Sequence, residues 1–205
     1  MNKKKIIFVC LLAIVFSYFL FILNKDTSIT NYPPKNNKIV AFGDSLVEGV
    51  GSSLNQDFVS VIERNLNTEI INLGRSGDTT SSALLRLDNV LSLDPGTVLV
   101  LLGGNDVLRR HPQTETFKNL ETIITKLQEN GSVVILLGVR GGILSDKYED
   151  DFQNLAQKYK TGYVSNVLDD IILNRELMYD GIHPNDKGYK IIADRVTPIL
   201  EKILK

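Results

Sequence analysis

The chain reads as an α/β protein, a three-layer α/β/α sandwich built on a central parallel sheet. Three observations predict this. Short runs rich in Val, Ile and Leu lack polar alternation, as strands buried on both faces do. Each run stops at glycine or a polar turn. Stretches with helical spacing of apolar residues separate one run from the next, the alternation that yields parallel strands with helices on the sheet faces.

The elements follow in order. Residues 38–42 are a compact apolar run closed by Gly43, the first strand. Residues 56–67 place Phe58, Val59, Ile62 and Leu66 at helical spacing. Residues 69–72 form a second short strand stopped by Gly74. Residues 79–91 are helical, with Leu84, Leu85, Leu87 and Leu91 as the apolar side. Residues 97–102 are the strongest strand, entered through Asp94-Pro95-Gly96 and closed by Gly103-Gly104. An amphipathic helix over 114–130 ends at Gly131, a favoured residue just past a helix C-terminus. Residues 132–137 give a fourth strand and 147–160 a further helix. Residues 185–205 close the chain as a helix that Pro198 is expected to kink or interrupt.

Bulk properties narrow the function. A chain of 205 residues holds one ordinary domain and a short appendage, and its apolar and charged fractions are those of a globular protein. A net charge of −1 with no basic block beyond the N-terminus excludes nucleic acid as the expected partner. Cys10 is the single cysteine, so no internal disulfide forms. With His111 and His183 the only histidines, a His/Cys zinc cluster cannot be assembled.

The N-terminus carries an address. Lys3-Lys4-Lys5 precedes Ile6 to Leu23, 18 residues without a charge. As a helix this run spans about 27 Å, the short end of a bilayer-crossing length. The lysines are expected to stay cytoplasmic, which places the rest of the chain on the extracytoplasmic side of the membrane. Leu23-Asn24-Lys25-Asp26 is a poor signal-peptidase site, which favours an uncleaved anchor over export with cleavage. The organisation expected is an anchor or signal over 1–24, a polar stalk over 25–37 and one α/β domain over 38–205. Pro33-Pro34 and the scarcity of apolar residues mark the stalk.

Ligands of open parallel sheets bind beyond the carboxyl ends of the strands. Three strands end in small polar clusters: Gly43-Asp44-Ser45-Leu46, then Gly74, then Gly103-Gly104-Asn105-Asp106. Asp180-Gly181-Ile182-His183-Pro184 follows near the C-terminus. A serine hydroxyl becomes a nucleophile only with a base in hydrogen-bond reach, itself oriented by a third group. Ser45, His183 and Asp180 offer that set. The Ser45 amide, a glycine amide after a strand and the Asn105 side chain offer donors for a tetrahedral oxyanion. Singly, each cluster has a plain structural reading: glycines form loops, Asp180-Gly181 makes a turn, and Asn105-Asp106 caps one. Their agreement in order and position points to acyl transfer. His111, beside Arg109-Arg110 and before Pro112, has no comparable partner and reads as a solvated loop residue at the site rim.

These segments resemble the signature blocks of the SGNH (GDSL) hydrolase superfamily. Asn72-Leu-Gly-Arg-Ser-Gly-Asp-Thr-Thr80, Gly103-Gly-Asn-Asp-Val-Leu-Arg109 and Asp180-Gly-Ile-His-Pro-Asn185 are most similar to its bacterial thioesterase, arylesterase and lysophospholipase branch. The resemblance runs through residues 39–204. It implies a flavodoxin-like fold and no metal or organic cofactor. It further implies Ser45 as nucleophile, His183 as base and then acid, Asp180 as orienting carboxylate, and Ser45, Gly74 and Asn105 as oxyanion donors. The implied substrate is a small ester or thioester, lipid esters included. Carbohydrate or peptidoglycan O-acetyl groups are the rival substrate, and a silent membrane-tethered binding module is the rival of another class. Members of the branch often carry a Pro-rich stretch after the fourth strand, where this chain has Gly138-Val-Arg-Gly-Gly-Ile-Leu144, so the acyl group does not carry over.

Overall fold

The computed structural model describes residues 29–140 and 148–205. Five parallel strands form the sheet: β1 (Ile39–Gly43), β2 (Ile70–Gly74), β3 (Thr97–Leu101), β4 (Val133–Leu137) and β5 (Gly162–Val164), in the order β2-β1-β3-β4-β5. Every residue of β1, β3 and β4 is buried, as expected of strands covered on both faces. Eight α-helices are described: α1 (Ser45–Glu48), α2 (Phe58–Leu66), α3 (Thr80–Leu84), α4 (Leu87–Leu91), α5 (Gly104–Leu108), α6 (Gln113–Glu129), α7 (Glu149–Tyr159) and α8 (Asp186–Leu204), with a 3-10 turn at Arg175–Leu177. Helices α2 and α8 pack together as one outer layer, while α3, α6 and α7 pack in succession as the other. The three-layer α/β/α architecture is therefore the one expected.

Several elements depart from expectation. β5 is three residues long, too short for a pattern to register, and is defined by its pairing with β4. The helix expected over 79–91 is two helices, because Arg86 leaves helical geometry between them at φ −117°, ψ 12°. Its guanidinium turns inward to the carbonyls of Leu73 and Gly43, at 2.9 and 2.8 Å. As a result Leu87 is buried but Leu85, expected on the same apolar side, is 89% exposed. Pro198 does not interrupt α8. The buried stripe Ile192, Val196, Leu200 and Ile203 holds that helix against the domain, which outweighs the one missing N–H.

The segment expected as a stalk is fastened to the domain over its described part. Thr30 N donates to Lys160 O at 2.9 Å, and Asn31 Nδ2 to the carbonyls of Gln128 and Ser132. Asn36 Nδ2 bonds Asp94 O, and Gly96 N bonds Lys38 O. These partners lie where the chain enters β3, β4 and β5. The 1–24 segment lies outside the described residues. Among the described residues no helix is long and apolar enough to cross a membrane.

The chain leaves β1 toward β2 on one side and returns to β3 on the other. The carboxyl ends of β1 and β3 thus flank the topological switch point, the usual ligand crevice of such sheets.

Candidate active site

Ser45 is placed by the abrupt passage from β1 into α1. A Cβ on Gly43 would lie 2.3 Å from Val47 Cγ2 and 2.4 Å from Leu101 O, so only glycine lets the helix start so close to the strand end. Asp44 caps α1, its Oδ1 accepting from Leu46 N at 3.0 Å. Ser45 is the first residue of α1, and its N–H has no intrahelical acceptor.

His183 arrives from the loop before α8. Its Nε2 is 3.0 Å from Ser45 Oγ, and its Nδ1 is 2.8 Å from Asp180 Oδ2. Asp180 also accepts from the backbone amides of Ile182 and His183 through Oδ1, at 2.8 and 2.7 Å. The carboxylate therefore fixes the turn and the ring together. Asn185 secures the turn from below: its Oδ1 caps α8, while its Nδ2 donates to Glu176 O and Met178 O. With Nδ1 donating to the carboxylate, the free lone pair of Nε2 faces the serine hydroxyl, as a general base requires.

Asn105 sits on α5, just beyond β3. Its Nδ2 donates to Asp78 O at 2.9 Å and lies 3.4 Å from Asp44 Oδ2. The strong bond to Asp78 O fixes the amide plane and leaves the second N–H turned toward the Asp44–Ser45 side. Asp106, the neighbour expected to cap a turn, is buried and binds the Thr80 amide and hydroxyl at 2.9 and 2.6 Å, tying α5 to α3.

Gly74 does not come to the same place. Its amide donates to Asn72 Oδ1 at 2.8 Å, and a Cβ there would fall 2.0 Å from Glu48 N, so it serves as a close-packing site against α1. Gly77 is the glycine that sequence reasoning missed. It lies in the turn beside Asn105 with φ +80°, and among the described residues its N–H meets no acceptor. A signal was present, since Gly77-Asp78-Thr79 repeats the glycine, aspartate, hydroxyl order of Gly43-Asp44-Ser45. His111 does not line the serine cavity; its Nδ1 stands 3.8 Å from Asp106 Oδ1.

A match to the GDSL-like lipase/acylhydrolase family spans residues 41–191, a stretch that holds all of these groups. The chain belongs to that family. An arylesterase of Vibrio mimicus is 30% identical over 181 residues, 82% of this chain and 90% of the relative. The thioesterase 1/protease 1/lysophospholipase L1 of Escherichia coli is 27% identical over 175 residues, 81% of this chain and 84% of the relative. The crystal structure of TesA superposes with a TM-score of 0.75 at 27% identity, covering 82% of this chain and 99% of that one. AlinE4, an esterase of the SGNH-hydrolase family, gives 0.65 at 32% identity, covering 83% and 98%. Like these relatives the chain is an ester-hydrolysing serine hydrolase on the SGNH fold.

In this SGNH hydrolase two carboxyl groups near the serine are driven in opposite directions. Burial raises the Asp44 carboxyl from 3.8 to about 7. The Leu46 amide and His183 oppose that rise, while the negative charges of Asp78 and Asp106 add to it. Asp180 goes the other way, lowered to about 2 chiefly by its hydrogen bond from His183. An orienting carboxylate that stays ionised beside the imidazole can stabilise the imidazolium formed during proton transfer.

A cavity of about 210 Å³ opens beside Ser45 and His183. Leu46, Val107, Leu108, Val139, Leu168 and Ile172 make most of its wall, so the surface next to the nucleophile is largely apolar, with Arg140 a charged exception. Among the described residues no cluster of His, Cys, Asp and Glu has the arrangement of a metal site.

Proposed function

We propose that Ser45 attacks the carbonyl of an ester or thioester, with His183 as base and Asp180 as the carboxylate that orients it. The observation that carries this is the continuous contact from Asp180 through both ring nitrogens of His183 to the Ser45 hydroxyl, 2.8 and 3.0 Å. The Ser45 proton passes to Nε2 as Oγ bonds the carbonyl carbon, and the oxyanion forms beside the Ser45 amide and Asn105 Nδ2. The third donor is assigned to the Gly77 amide in place of Gly74, whose N–H is committed to Asn72. His183 then returns the proton to the leaving alcohol or thiol, and water activated by the same imidazole hydrolyses the acyl-enzyme.

The apolar cavity favours an alkyl or aryl acyl group over the acetylated carbohydrate considered as the rival substrate. Profiling kcat/KM over p-nitrophenyl esters of increasing chain length, with Ser45→Ala as control, tests both points. Activity that persists in pure Ser45→Ala protein, or that is confined to acetate, would sink the reading.

The Lys3-Lys4-Lys5 and 6–23 pattern supports a single membrane anchor with the hydrolase domain on the extracytoplasmic side. Membrane fractionation of the full chain, with protease accessibility of the domain in spheroplasts, tests the placement.

A further inference from the structure

One wall of the serine cavity does not match the rest. Arg140, two residues beyond the end of the loop-opening Gly138, lines the same cavity as Ser45, His183 and the apolar side chains. Its Nε is sealed from solvent and has no hydrogen-bond partner. Among the described residues no carboxylate forms an ion pair with its guanidinium. Elsewhere in the described protein the inward-turned arginines are satisfied. Arg86 bonds Asp78 and two carbonyls, and Arg195 bonds Val167 O.

An arginine that merely covers apolar surface with its stem keeps its polar head in water. One with a dry, unpartnered Nε is carrying a desolvation cost that an acceptor would relieve. The planar guanidinium always holds its charge and matches carboxylate and phosphate geometry. Among the described residues that line the cavity, Asp44 and His183 being the other ionisable ones, it is the one permanent cation and so the group suited to select an anionic ligand over a neutral one.

We propose that Arg140 is the specificity-determining residue of this pocket, and that the preferred ester carries an anionic group, a carboxylate or a phosphate, attached to its apolar portion. The inference rests on Ser45 being the nucleophile of the same cavity. The anion sits away from the reacting carbonyl, so Arg140 acts in substrate binding and takes no part in the proton transfers.

The test uses the full-length protein, its Arg140→Ala and Arg140→Lys variants, and two pairs of substrates. The first pair is p-nitrophenyl hexanoate and mono-p-nitrophenyl adipate, which share a chain length but differ in a terminal carboxylate. The second is a monoacylglycerol and the corresponding monoacylglycerol phosphate. In the unaltered protein at least one anionic member should be preferred by about tenfold or more in kcat/KM, the usual worth of one charged hydrogen bond. The preference should appear in KM, collapse in Arg140→Ala and survive in part in Arg140→Lys. The pair that shows it identifies the anion. Using the ratio of two substrates on one protein removes any effect of a variant on folding. Hydrolysis of the neutral members without an anionic preference, or a preference that survives Arg140→Ala, overturns the inference and leaves the Ser45 reading standing. No Ser45-dependent hydrolysis of any of the four overturns both.

Discussion

His183 Nε2 stands 3.0 Å from Ser45 Oγ across 138 residues of chain. The contact joins the first strand's end to the last loop, and neither partner is fixed by the other. Ser45 is held by the cap of Asp44 on α1, and His183 by two hydrogen bonds to Asp180, which also accepts from the Ile182 amide. Two independently secured groups that meet at hydrogen-bond distance are the arrangement a preorganised nucleophile and base need.

Asp180→Ala should therefore cost less than loss of the serine. The ring would lose its orienting acceptor, but Ser45, Nε2 and the oxyanion donors would remain. A fall in kcat of on the order of 10⁴-fold is expected, with residual activity well above Ser45→Ala. Steady-state kinetics on p-nitrophenyl butyrate checks it; equal losses in the two variants would assign Asp180 a structural role only.

Asn105→Ala removes one oxyanion donor and leaves the Ser45–His183 contact in place. Turnover should drop on the order of 10²-fold or more with a smaller change in KM, since the lost bond strengthens only as charge develops on the carbonyl oxygen. A loss appearing mainly in KM would place Asn105 in ground-state binding.

Much of this was legible in the sequence because it followed from periodicity and from residues that only one geometry can use. β1, β3 and β4 are uniformly buried, so their apolar runs were unmistakable, whereas β5 is three residues at the sheet edge and carries no period. The break between α3 and α4 was hidden because leucines at 84, 85 and 87 suit a continuous helix; the cause is a tertiary contact of Arg86. Ser45 and Asn105 lie at the ends of β1 and β3, which flank the switch point, and the loop before α8 brings Asp180 and His183 to the same place. Gly74 was chosen for ending its strand, and the amide direction that disqualifies it depends on the Asn72 side chain. Arg140 gave no signal at all, since an unpaired guanidinium is a property of its surroundings.

The Asp44 carboxyl makes a prediction about stability and pH. Its value in the folded chain is about 7, against 3.8 when burial is absent. Below roughly pH 4 it is protonated in both states and costs nothing. As pH rises through that value the unfolded chain ionises first, so the fold loses stability progressively until about pH 7 and then levels off. Asp180 has the opposite sign: its contribution is lost as pH falls from the unfolded value of 3.8 toward the folded value of about 2, and it is nearly complete above about pH 4 to 5. Thermal unfolding of the protein and of Asp44→Asn between pH 4 and 8 should give curves that diverge from 4 to 7 in favour of the variant. The slope is the readout, since the substitution also changes the group facing Asn105; parallel curves would remove Asp44 as a titrating group.

Arg86 links stability to the site. Its Nε is 2.5 Å from Asp78 Oδ2, with both side chains largely buried, and its other nitrogens bind Leu73 O and Gly43 O. The guanidinium also lies 4.5 Å from the centroid of the Phe42 ring. It thus clamps the ends of β1 and β2 to the Gly77–Asp78 turn that receives the Asn105 amide. Arg86→Ala leaves a buried carboxylate without its partner, which costs about 3–5 kcal/mol. For a domain of this size that corresponds to a fall in Tm of roughly 6–20 °C. Arg86→Lys should rescue little, because one ammonium cannot serve three acceptors in a fixed fork. The double variant Arg86→Ala, Asp78→Asn should recover a substantial part of the loss, since it removes the stranded charge while an amide oxygen can still accept from Ser82 Oγ. Thermal melts of the three variants decide the point: a double variant no more stable than Arg86→Ala would mean that the carbonyl contacts, and not the ion pair, make the clamp. In either case kcat should fall with Arg86, because the acceptor that orients Asn105 is held in place through this residue.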